Sequence, residues 1–149
     1  MFYSGIEIPE INLDGFQVAS GALFKRMTRM HQPSITIWNN SISFSKTSIE
    51  ALKTCERIVI KVNAKDKQML IVPVSSNDPD NIHWYKGEKT VQSRKIECKA
   101  FTSKLYEAWG LDSNCAYRAT GRLAAADKKV MLLFDFNGAE KWPVPQKAN

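Results

Sequence analysis

The side chains in this chain best suited to chemistry are two pairs of cations on short alternating stretches, Arg57-Ile-Val-Ile-Lys61 and Arg118-Ala-Thr-Gly-Arg122. On a β-strand, alternate residues share a face. Arg57, Val59 and Lys61 therefore point away from Ile58, Ile60 and Val62, and Arg118, Thr120 and Arg122 do the same in their own stretch. The rise per residue sets the cations of each pair about 13 Å apart. Long basic side chains at that spacing reach the phosphates of a nucleic acid, and a two-fold arrangement would offer both pairs to one duplex. The same alternation also describes a solvated face whose charges discourage edge pairing.

A second basic stretch, residues 86–104, carries Lys86, Lys89, Arg94, Lys95, Lys99 and Lys104 against Glu88 and Glu97, six cations against two carboxylates. It follows His83-Trp84-Tyr85, an aromatic cluster of the kind that stacks on bases when exposed. The competing account makes Trp84 and Tyr85 a plug between two halves of the chain, with the lysines keeping the connector soluble. The candidate nucleic-acid contacts are thus Arg57, Lys61, Arg118, Arg122, Arg94, Lys95 and Lys99.

Catalytic chemistry finds less to work with. His31 and His83 have neither the helix spacing nor the Cys/His company of a zinc site, and no phosphate-binding loop or nucleophile elbow occurs, so no metal and no cofactor are expected. Cys98 with His83 is the one arrangement open to a thiol enzyme, and it has no positive support. Asp66 and Asp127 resemble paired carboxylates, but both sit at turn positions. We therefore expect no enzyme.

The formal charge of +6 fits a polyanion partner and equally an ordinary soluble protein. Cys55, Cys98 and Cys115 lack disulfide or C-x-x-C spacing, which fits reduced thiols and a cytoplasmic setting. No apolar run is long enough for a membrane span, and Met1-Phe-Tyr-Ser-Gly-Ile-Glu lacks the basic start of a signal peptide.

These side chains need strands to hold them, and the strands come in two sets. Phe44 to Leu52 lines up without gaps on Phe101 to Trp109, and Arg57 to Val74 on Arg118 to Asp135, with four extra residues within 110–114 of the second copy. In each set a strand ends at Phe44 or Phe101. A short helix follows, Ser48 to Lys53 or Ser103 to Trp109, introduced by Ser and Thr. A hairpin then turns at Ala64 to Lys67 or at Ala125 to Lys128. Phe44 and Phe101 are expected in equivalent buried places, as are Asp66 and Asp127 in equivalent turns. A unit of this size cannot bury its apolar face alone, so the copies should pair about a pseudo-two-fold axis.

Ahead of the repeat, Ile35-Thr-Ile-Trp38 and Ile42-Ser-Phe44 read as a hairpin around Asn39-Asn40, a pair that tolerates positive φ. Ile6, Ile8 and Ile11 form a Pro-interrupted extended arm. From Ser20, Ala22, Leu23, Met27 and Met30 recur at helical spacing up to Gln32-Pro33, while a strand over Phe16 to Phe24 stays open. The tail Trp142-Pro-Val-Pro145 should be extended and dock by Trp142. The organisation expected is a single domain over 1–149, with an arm (1–34), a first unit (35–74), a connector (75–93), a second unit (94–136) and a tail (137–149).

The order strand, short helix, strand, strand, on Ile42-Ser-Phe44, Ser48 to Lys53, Ile58-Val-Ile60 and Leu70-Ile-Val-Pro73, resembles the AbrB-like swapped-hairpin family. Its doubled form resembles MraZ proteins. The resemblance implies an α+β, mostly β fold in which two tandem swapped-hairpin units interleave as a small pseudo-two-fold barrel, and it implies DNA binding by a two-fold or ring assembly. The first hairpin departs from the family, which has a Gly-Arg step and a later Pro there. This chain has Asn39-Asn40 and Ser45-Lys46, with no Arg between His31 and Arg57, so no contact residue carries over at that hairpin. The whole chain is also similar to proteins of gut Firmicutes and their mobile elements, a likeness that implies no activity. The expected function is a non-enzymatic, DNA-binding or transcription-associated bacterial protein with double-stranded DNA as partner. The alternative is an interaction or assembly module forming a homo-oligomer.

Overall fold

The computed structural model describes residues 2–20 and 32–145, and the chain falls into two compact units, 1–30 and 31–149. In the first, β1 (Phe2–Tyr3) and β2 (Ile6–Glu7) pair antiparallel across Ser4-Gly5, both at positive φ. The helix expected beyond Ser20 falls on 21–31, outside the described residues.

The second unit begins with β3 (Ser34–Ile37) and β4 (Ser41–Phe44), the hairpin expected around Asn39-Asn40. Neither asparagine takes positive φ, so the turn does not use the tolerance that singled the pair out. Ser45 then caps α1 (Lys46–Ala51), its hydroxyl accepting the Ser48 N–H at 3.2 Å. The strands β5 (Arg57–Asn63) and β6 (Gln68–Pro73) pair across loop 64–67. After β7 (Ile82–His83) come β8 (Arg94–Glu97), α2 (Lys99–Trp109), β9 (Cys115–Ala126), β10 (Lys129–Asp135) and β11 (Glu140–Pro143). The fold is mostly β, a curled antiparallel half-barrel in the order β7-β5-β6-β10-β9-β3-β4-β8, with β11 on the first part of β9.

Two details of the expected repeat are corrected. Phe101 does not end a strand. β8 stops at Glu97, and α2 takes in Phe101, because Thr102, Leu105, Tyr106 and Trp109 share its buried stripe at helical spacing. Phe44 is fully buried in β4, whereas Phe101 is half-buried on a helix, so the two are not equivalent. The hairpin turns also differ. Asp127-Lys128 is a two-residue turn with φ of 51° and 64°, while 64–67 is a four-residue loop. An alignment that holds for β5 on β9 therefore slips by two residues on β6 and β10, and Asp66 and Asp127 do not coincide.

The pairing between the two runs is nonetheless reciprocal. In the runs β3-β4-α1-β5-β6 and β7-β8-α2-β9-β10, β3 pairs with β9 and β7 with β5, β4 pairs with β8, and β6 pairs with β10. Inside the curl, Ile35, Ile37, Phe44, Ile58, Met69, Ile71, Leu132 and Phe134 have no exposed surface. Each such side chain contributes roughly 1.5–3 kcal/mol of burial. Tyr106 of α2 ties the core to the backbone, its hydroxyl donating to the Ile37 and Cys115 carbonyls at 3.1 and 2.8 Å. Gly121 lies where β9 passes from β3 to β10, directly opposite Phe134. A Cβ there would meet the Phe134 ring at 2.5–2.8 Å. No helix among the described residues is long and apolar enough to cross a membrane.

Candidate nucleic-acid interface

Strand alternation and register place five of the seven candidate cations on the outer face of the sheet. Lys61 stands opposite Leu70, Leu70 opposite Leu133, and Leu133 opposite Arg122. This row crosses four strands, with the two cations roughly 14 Å apart at its ends from the interstrand spacing. Lys61 and Arg122 are exposed and Leu70 and Leu133 half-buried. The neighbouring row centres on Val72 and Met131, which are buried. A second row runs from Arg118 through Thr36 and Ser43 to Lys95.

The remaining cations are differently engaged. Arg57 is half-buried and donates to the Asn81 carboxamide oxygen at 2.6 Å. Arg118 donates to Glu140 at 2.6 Å and lies over the Trp142 ring at 5.7 Å. Both groups of that ion pair are about half exposed or more, where such a pair contributes little stability. Lys95 sits 4.9 Å over Trp38. Arg94 is on the inner face with Ile96, and Lys99 opens α2, so neither joins the outer face. The paired strand cations were visible from alternation. Their partners Asn81, Glu140, Trp38 and Trp142 lie on other strands or loops and gave no local signal.

The aromatic cluster of the connector is not available to bases through Trp84. Its ring is buried, meets Phe44 edge-on at 5.3 Å between centroids, and donates its Nε1 proton to the Cys55 carbonyl at 2.7 Å. Tyr85 is half-buried and donates to the Glu88 carbonyl at 3.0 Å.

Cys98 and His83 do not face each other. Ile82 and Cys98 line one cleft inside the sheet, and His83, one residue on, alternates to the other face. Burial pushes the Cys55 and Cys98 thiols above their ordinary value, and Glu97 adds to the effect at Cys98, so neither is primed as a thiolate. Asp66 serves its own turn, its N–H donating to Asn63 Oδ1 at 3.0 Å and its carboxylate accepting from the Asn63 amide at 3.1 Å. His31 lies outside the described residues. Comparison with protein-family models, with curated proteins and with solved structures gives no match.

Proposed function

We propose that this chain is a non-enzymatic DNA-binding protein that meets the phosphate backbone with the outer face of its sheet. The observation that carries the proposal is the reciprocal pair Lys61 and Arg122, exposed at the two ends of one cross-strand row. Two cations related in this way suit a duplex whose strands are themselves related by two-fold axes. Lys95 and Arg118 extend the same face, though Arg118 must leave Glu140 to reach a phosphate. The proposal includes the swapped-hairpin reading, supported by the reciprocal pairing of β3 with β9, β7 with β5, β4 with β8 and β6 with β10. Three free thiols support a reducing, cytoplasmic setting.

Leu70 and Leu133 between the two cations favour a second reading, in which the same row seats a protein partner or another copy of the chain. Duplex binding followed by fluorescence anisotropy across a salt series separates the two. Phosphate binding makes log affinity fall linearly with log salt, and Lys61→Gln with Arg122→Gln should flatten that slope by about two units. No duplex binding by the unmodified protein at low salt, with a concentration-dependent rise in mass, would retire the DNA reading in favour of assembly.

A further inference from the structure

The reciprocal pairing makes Lys61 the counterpart of Arg122 and Leu70 the counterpart of Leu133. Counted along the strands from those positions, Val62 corresponds to Leu123, Asn63 to Ala124, Lys67 to Val130 and Pro73 to Phe136. One place in the fold therefore occurs twice, between the end of a helix and the hairpin of the other run. The two are filled differently.

At the first, α2 ends in Trp109. Its indole is buried, lies 5.1 Å from the Phe136 ring between centroids, and donates the Nε1 proton to the Asn63 carbonyl at 3.3 Å. At the second, α1 ends at the shorter Leu52, and Pro73 stands where the Phe136 ring would be. What remains is a groove of about 380 Å³ lined by Ala51, Leu52, Lys53, Pro73, Leu123 and Val130. Leu123 and Val130 take the inner face, since Leu123 pairs with the fully buried Leu132 and Val130 lies two residues from it, yet they are 53% and 55% exposed.

Ligand pockets begin at about 300 Å³ and combine apolar walls with a few polar groups. This groove has room for one small ring system, and the Trp109 indole shows what shape the equivalent place takes. Lys53 is the charged side chain of the lining, and no carboxylate shares it. Among the described residues the ion pair is Arg118 with Glu140, so the Lys53 ammonium meets no carboxylate there.

We propose that the groove between the end of α1 and the hairpin of β9 and β10 binds a small aromatic carboxylic acid. The ring system takes the place that Trp109 takes in the other half, and the carboxylate meets the Lys53 ammonium. Apolar burial against Leu52, Pro73, Leu123 and Val130 supplies most of the affinity. Lys53 is exposed, so its ion pair adds little and chiefly selects the sign of the ligand's charge. This inference does not depend on DNA binding, because Lys61 and Arg122 lie on the outer face and the groove on the inner one.

The probe is indoleacetate, titrated to about 2 mM against the isotope-labelled full chain, with amide NMR shifts as the readout. Saturable shifts should appear at 51–54 and 122–131 and be absent at 62–67 and 136, where Trp109 already fills the equivalent place. The neutral indoleacetamide should bind about two- to fivefold more weakly, the range of an exposed ion pair, and the cationic tryptamine more weakly still. Lys53→Gln should level the three. Val130→Glu changes an exposed side chain and should leave thermal melting unchanged, while its like charge weakens indoleacetate binding about tenfold or more. Absence of saturable shifts, or shifts centred away from the groove, overturns the site. Equal affinity for indoleacetate and tryptamine overturns the acid as the ligand class. Tighter binding of the peptide acetyl-Glu-Trp-Glu-amide than of indoleacetate, at the same amides, overturns a small molecule in favour of a partner's side chain.

Discussion

Gly121→Ala is expected to destabilise the fold through a single contact. The new methyl carbon would lie 2.5 Å from Phe134 Cε1, 2.7 Å from Cδ1 and 2.8 Å from Cζ. Carbon atoms are comfortable at about 3.5–4.0 Å, so the ring or the strand must give by about 1 Å. Phe134 has no exposed surface and cannot swing into solvent. The backbone at Gly121 is not in the positive-φ region, so the substitution carries no conformational penalty of its own. Overpacking of this kind costs about 1–3 kcal/mol, partly offset by about 0.4–1 kcal/mol from the stiffer unfolded chain. Phe134→Ala removes Cε1, Cδ1 and Cζ together and should relieve the clash, so Gly121→Ala in that background should be neutral or slightly stabilising. Urea unfolding of the four proteins of the cycle, followed by tryptophan fluorescence, measures the coupling, expected at about 1–2 kcal/mol. If Gly121→Ala changes stability equally in both backgrounds, within about 0.5 kcal/mol, the ring does not lie over Gly121 and the β9 to β10 register is wrong.

Trp84→Ala should lower stability by about 3–5 kcal/mol through lost burial and the cavity left behind, and Trp84→Phe by less. In Trp84→Phe, duplex affinity should stay unchanged in the anisotropy assay, because the indole is core. Tyr106→Phe removes the hydroxyl that bonds the Ile37 and Cys115 carbonyls and should cost about 1–2 kcal/mol in urea unfolding. Asp135 accepts the Asn137 backbone N–H at 2.9 Å and its side-chain amide at 2.7 Å, which lowers its carboxyl below the ordinary value. A lowered folded value means the contribution is present above the usual carboxylate range near pH 4 and is lost as pH falls through the folded value. The stability gap between the native protein and Asp135→Asn should be flat from pH 5 to 8 and shrink progressively as pH falls below about 4 in a series of thermal melts.

Period-two alternation made the hairpin of β3 and β4, the strands β5 and β6, and the shared face of Arg57 and Lys61 legible, because side-chain direction along a strand is a local property. The strands β5 and β9 were legible for the same reason, since like residues recur there in like order. Helix α2 was misplaced at its start because the four residues from Cys98 to Phe101 carry no side-chain cap, and Cys98 offers no capping bond. Tertiary structure decided what no local pattern encodes, namely which strand lies beside which. The pairing of β6 with β10 brings Lys61 and Arg122 into one row through Leu70 and Leu133. The packing of Phe44 against Trp84 turns a candidate base-stacking ring into core. Among the described residues β7 and β8 do not pair, and Ile42, Ile60, Ile82 and Ile96 from strands far apart in the sequence line one apolar cleft. Periodicity tells a side chain which face it takes, but its neighbours across a sheet come from segments tens of residues away, and only the closed packing of the whole chain selects them.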